Sequence, residues 1–195
     1  MDGFASLFSA FGLASAAGFN AFVPLLTVGL VARYTDLIRL AEPFDVLTQP
    51  WVLGIIGAMA VVDFVADKVP AVDSVWHGIG ALVAPVAGAI LFASQQNVLT
   101  DLHPAVAAIA GLVVAGGFHG SRAAARPIST ATTGGLGNPV MSLVEDVLSG
   151  LLSLLAVFLP VLAFGLAGLA AVLVILALVS ARRGLRNRQI RADTG

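Results

Sequence analysis

Between Ala115 and Gly150 the chain reads AGGFHGSRAAARPISTATTGGLGNPVMSLVEDVLSG. This stretch gathers His119, Arg122, Arg126, Asn138, Glu145 and Asp146 inside a sequence that is 58% hydrophobic and only 11% charged. Ionisable side chains are costly at membrane depth, and where they occur they face a bundle interior or a watery cavity and mark function. Asn138, Ser142, Glu145 and Ser149 follow steps of four, three and four, which places them on one helix face. Such a stripe inserts poorly against lipid, so it is expected to line an interior. Asp146 lies about 100° further round the same helix.

A second acidic face precedes it in VVDFVADKVP, where Asp63 and Asp67 are four apart and Lys68 stands beside them. Asn20 lies in AAGFNAFVPLL, where Gly18 and Pro24 mark a bend. Asn20, Asp63, Asp67, Asn138, Ser142, Glu145 and Asp146 together offer carboxylate, amide and hydroxyl oxygens. These are hard ligands suited to a cation such as Mg²⁺, Mn²⁺ or Ca²⁺. Burial disfavours the charged form of a carboxylate, so protons would compete with the cation and couple the two movements. The expectation is a small membrane transporter or channel for a cation, divalent and proton-coupled versions included.

The basic residues support an alternative. His119, Arg122 and Arg126 fall at i, i+3 and i+7 and form one stripe. Lys68, Arg122 and Arg126, with backbone amides of the Thr/Gly loop and the following helix start, would hold an anion or a lipid phosphate. The acids are then ion-pair partners. From a different class, an intramembrane enzyme would pair His119 or His77 with Asp146 or Asp63 on a lipid-linked substrate. The chain has no HExxH metal motif, and its glycine-rich loop lacks the lysine of a Walker motif. The enzyme reading therefore carries less weight, and no catalytic set is named. A structural scaffold needs none of these roles: Asn20 would fasten helices by a hydrogen bond, Lys68 would snorkel to the headgroups, Asp73 would be an N-cap, and His77 a hydrogen-bonded structural histidine.

Positioning these groups falls to helices. Mean hydropathy is +0.99, and several apolar runs approach the roughly 20 residues a helix needs to cross a hydrocarbon core. The runs are continuous and rich in Ala, Leu, Gly and Val, unlike the alternating segments of a β-barrel. The expected fold is all-α: a polytopic transmembrane bundle of about six helices in one domain, 1–182, followed by a basic cytoplasmic tail, 183–195. The first run, Phe4–Ala32, bends near Asn20. The others span Trp51 to Lys68, a helix capped by Asp73 and ending near Ser94, Pro104 to Ala125, one opening at Asn138 and Pro139, and Val161–Ala181. Ile128–Gly137 is either a plain cytoplasmic loop or a re-entrant segment lining a cavity. Met1-Asp2-Gly3 lacks the basic region of a signal peptide, so the first run is expected to be a retained helix.

With Lys68, Arg122, Arg126 and the tail arginines on one side, the positive-inside rule makes that side cytoplasmic and places both termini there. Residues 16–20 echo residues 115–119, and the acidic ends around Asp63 and Glu145 correspond. This suggests inverted repeats, 4–95 and 104–182, a common transporter plan. There is no cysteine, hence no disulfide or thiolate metal site. The net charge of −1 gives no nucleic-acid signal. The expected partners are the lipid bilayer and a small ion or solute; no cofactor is called for beyond a bound cation. A bundle this small is compatible with a homodimer.

ADKVPAVDSVWH at 66–77, STATTGGLGNPVMSLVED at 129–146 and AAGFNAFVPLL at 16–26 resemble a bacterial integral-membrane family catalogued as domain of unknown function 4126, over roughly Leu7 to Leu162. The resemblance implies a small multi-span protein of the bacterial cytoplasmic (inner) membrane. It assigns no residue a role.

Overall fold

In the computed structural model, which describes residues 3–95, 98, 102–134 and 136–193, the first apolar run is two helices. α1 (Gly3–Phe19) and α2 (Phe22–Tyr34) turn at Asn20 and Ala21. The cause is local. Pro24 has no N–H to give the carbonyl of Asn20, and that carbonyl accepts the Ser149 hydroxyl instead, at 3.2 Å. The side-chain oxygen of Asn20 accepts the backbone N–H groups of Phe22 at 2.9 Å and Val23 at 3.1 Å. Two orphan donors at the start of α2 thereby gain a partner.

A 3-10 turn (Phe44–Thr48) leads to α3 (Pro50–Ala66), α4 (Pro70–Ala93), α5 (Pro104–Thr133), α6 (Asn138–Phe158) and α7 (Pro160–Asp193). The described residues thus hold seven helices, not six, and no strand. Proline stands in the first turn of each helix from α3 to α7, where its missing N–H costs nothing. Two expected boundaries move. α4 begins at Pro70 with Val69 as its N-cap, so Asp73 stands inside the first turn and does not cap it. α5 continues through Pro127 to Thr133 and stops at Gly134, whose φ of 63° is left-handed. Residues 128–133 are therefore helix, neither a plain loop nor a re-entrant segment. The Thr133 hydroxyl accepts the Gly137 N–H at 2.9 Å and tightens the turn into α6.

Packing sets the helix directions. Ala10 and Ala14 of α1 share a buried cluster with Phe92, Ala93, Val98 and Ala107, and Phe11 meets Phe92 edge-on at 4.9 Å. Further along, Gly18 lies against Ala115, Phe118 and His119. α1 therefore runs in the same sense as α5. α2 runs back, because Gly29 near its end abuts Leu47 and Leu53. The connection over 35–49 closes that end of the bundle: the Ala41 N–H donates to the Ser94 carbonyl at 2.8 Å, and Leu40 forms a bridge with Gln95. α6 returns toward it with Ala156 against Gly12, where Ala163 of α7 also packs.

These directions bear on two expectations. The echoing pentads do meet, with Phe19 and Phe118 ring centroids 5.4 Å apart, but α1 and α5 are parallel. Residues 4–95 hold four helices and 104–182 three, so the two are not inverted three-helix repeats. Among the described residues the start of α1 and the end of α7 lie at opposite ends of the bundle, where one shared side was expected for the two.

Two helices, α5 over Pro104–Ala131 and α6, are long and apolar enough to cross a membrane; the other apolar segments run 10–17 residues. α6 buries Ser142, Glu145, Ser149 and Ser153 and exposes Leu143, Val144, Val147 and Leu151. That is the reverse of a water-soluble helix.

The α4–α5 crossing depends on glycine. A Cβ at Gly111 would lie 2.2 Å from the Gly88 carbonyl oxygen, and one at Gly88 would lie 2.3 Å from the Ala115 Cβ. Close backbone approach is a common way for membrane helices to associate. Gly111→Ala is expected to destabilise by about 1–3 kcal/mol through overpacking. Gly120→Ala, where a Cβ meets nothing within 4 Å, should be neutral or stabilising by up to about 1 kcal/mol. Thermal melting in detergent compares them; equal effects would refute the close-crossing account.

Candidate functional site

The α1–α2 turn brings Asn20 between two acids contributed by other helices. Its Nδ2 donates to Asp63 Oδ2 at 2.7 Å and to Asp146 Oδ1 at 2.8 Å. Because two backbone donors occupy its Oδ1, all four hydrogen-bonding positions of the amide are taken. The other Asp63 oxygen accepts the Trp76 indole N–H at 2.5 Å. No salt bridge reaches Asp63 among the described residues. Its two hydrogen-bond donors are the neutral Asn20 amide and Trp76 indole.

The remaining acids are paired. Glu145 Oε2 lies 2.5 Å from Arg122 Nη2 and 3.4 Å from Arg126 Nη2. Asp67 Oδ2 accepts the Ser142 hydroxyl at 2.8 Å and lies 3.5 Å from Arg126 and 4.0 Å from Arg122. Arg122 also donates through Nη1 to the Phe19 carbonyl, and more distantly to that of Gly18 at 3.5 Å. A cation belongs at these last carbonyls of α1, the negative end of the helix dipole. Asp146 is looser, 3.9 Å from Lys68 Nζ. Lys68 itself lies over the Phe64 ring at 3.2 Å and donates to the Phe64 carbonyl.

The acidic and basic groups that the sequence offered as rival sites thus form one network. The structure assembles Asn20, Asp63, Asp67, Lys68, Arg122, Arg126, Ser142, Glu145 and Asp146. It leaves Asn138 outside: its amide donates to the Thr130 hydroxyl at 3.1 Å in the exposed α5–α6 turn. The His77 side chain lies outside the described residues, as do the side chains of the tail arginines. His119 is buried and reaches a cavity of about 50 Å³ whose polar wall is Asn20, Asp63, Asp67, Trp76, His119 and Arg122. Among the described residues no three His, Cys, Asp or Glu side chains gather as a metal-binding group.

Sequence reasoning missed three members, one side chain and two backbone carbonyls. Trp76 gave no motif, although a tryptophan nearly two turns inside a helix, thirteen residues after an acid set in an apolar run, is a usable signal. The carbonyls of Gly18 and Phe19 were invisible, because a backbone acceptor becomes available only once Asn20 ends α1.

Comparison with known proteins adds one finding. A family model described as "Domain of unknown function (DUF4126)" matches residues 7–182, and so extends into α7. No curated protein and no solved structure matches the chain.

Proposed function

The chain belongs to the DUF4126 family, and from its geometry we propose that it is a small multi-span membrane transporter or channel that moves a cation past Asp63. One observation carries the reading: a buried amide joins two carboxylates beside a small cavity, and one of those carboxylates, Asp63, forms no salt bridge among the described residues. The polar interior and apolar exterior of α6 support a bundle embedded in lipid. From the end closed by residues 35–49, Asn20, Asp63, Trp76, His119 and Glu145 lie about 13–17 residues along their helices, or about 20–26 Å at 1.5 Å per residue. In a core of about 30 Å that depth is the third nearer the basic end. Lys68, Arg122, Arg126 and the arginine tail then face the cytoplasm of a bacterial inner membrane, and α1 starts on the opposite face.

The absence of a three-ligand group among the described residues favours a monovalent cation or proton over a divalent ion. The anion reading has less support, because Arg122 and Arg126 are engaged by Glu145, Asp67 and the α1 carbonyls. Reconstitution into liposomes tests the proposal. Flux of Na⁺, K⁺ or protons above that of protein-free vesicles, with inorganic phosphate silent, is the expected result. Flux of phosphate alone, or of nothing in the panel, would overturn it.

A further inference from the structure

We propose that Asn20 couples cation entry to movement of α2: its amide nitrogen holds the place between Asp63 and Asp146 that a small monovalent cation takes, and its oxygen caps the helix that forms the cavity wall. This rests on the cation reading above. The cavity of about 50 Å³ has room for an ion together with water, since one water needs about 10–15 Å³ of such space. Beside it, Asp63 Oδ2 and Asp146 Oδ1 point at the same nitrogen from 2.7 and 2.8 Å. Asp146 Oδ2 is buried and receives no hydrogen bond among the described residues, its one salt-bridge contact there being Lys68 at 3.9 Å. That oxygen is an acceptor with capacity left.

Asn20 cannot serve this ion with its own oxygen. Oδ1 is held at 2.9 and 3.1 Å by the N–H groups of Phe22 and Val23, so turning the amide over would strip α2 of both cap bonds. A cation that engages both carboxylates must push Nδ2 aside, and Oδ1 moves with it. The ion thereby exchanges an amide donor for itself and uncaps α2. Phe22, the first residue of α2, lines the cavity, and α2 is the shortest α-helix among the described residues, with 13 residues. Loosening its start moves a wall of the site.

The test uses the full-length protein in nanodiscs, titrated with NaCl against choline chloride at constant ionic strength. Apparent melting temperature and hydrogen exchange over the first turn of α2 are followed in wild type and Asn20→Asp. Sodium is expected to raise the wild-type melting temperature, because a ligand that binds the folded state stabilises it, while speeding exchange at the start of α2. Asn20→Asp keeps an oxygen for the cap and puts a carboxylate oxygen where Nδ2 stood. It should bind sodium at least about tenfold more tightly, about 1.4 kcal/mol, with no sodium-dependent change at α2. Sodium binding with unchanged or slower α2 exchange in wild type, or weaker binding in Asn20→Asp, would overturn the inference and leave the cation reading standing. No sodium response in either protein would sink the inference, and the K⁺ and proton fluxes in liposomes then decide the cation reading separately. Should Asn20→Asp fail to fold, the wild-type exchange result decides alone.

Discussion

Liposomes carrying Asp63→Asn are expected to lose cation flux about a hundredfold or more, while the variant melts only several degrees below wild type. The two effects separate because the Asp63 charge and the Asp63 hydrogen bonds do different work. The carboxylate accepts from Asn20 and from Trp76 and forms no salt bridge among the described residues. An asparagine there accepts from one donor and turns an N–H₂ toward the other. One mismatched hydrogen bond costs about 1–3 kcal/mol, which for a chain of this size is about 2–12 °C. A cation leaving water is compensated chiefly by charge, and in a low-dielectric site one missing charge is worth several kcal/mol. A loss of about 2.7 kcal/mol already makes a hundredfold in rate. Flux retained in Asp63→Asn would remove Asp63 from the pathway. Flux lost together with the fold would make its role structural.

How much of this was legible in the sequence varied with the length scale of the physics. The helices were legible because apolar runs and first-turn prolines act within a few residues. The buried stripe of α6 was legible because its spacing matches the helical period, and Ser153 extends it by one further step. The break at Asn20 was half legible: Gly18 and Pro24 announced a bend, but a bend and a reversal share one local pattern. Only the packing of Ala10 with Phe92 and of Gly29 with Leu47 separates them. That one reversal changed the helix count, the relation of the two halves and the placement of the termini. Which acid pairs with which base was not legible at all. Asp67, Arg122, Arg126 and Glu145 are distant in sequence, and their pairing follows from the crossing of α3, α5 and α6. Side-chain type named the participants, and tertiary packing alone left Asp63 without a salt bridge among the described residues.

The larger effect on stability is expected at Glu145. Its Oε2 serves both Arg122 and Arg126, and all three side chains are at most 10% exposed. Glu145→Ala leaves two guanidinium groups in the bundle with Asp67, at 3.5 and 4.0 Å, as the carboxylate still near both. Removing one partner of a buried ion pair costs about 3–5 kcal/mol, because the charge left behind is uncompensated. The melting temperature should fall by about 6–20 °C. Lys68→Met gives the contrast: Lys68 is 30% exposed and 3.9 Å from Asp146, and pairs of that kind contribute about 0–1 kcal/mol. If the penalty at Glu145 arises from stranded positive charge, then Arg126→Met added to Glu145→Ala should recover part of the loss, since one charge then matches Asp67 alone. If it arises from lost packing, the second substitution should deepen the loss. Melting of the four proteins in one detergent separates these outcomes. Recovery in the double variant would identify charge balance, rather than shape, as what holds α3, α5 and α6 together around the site.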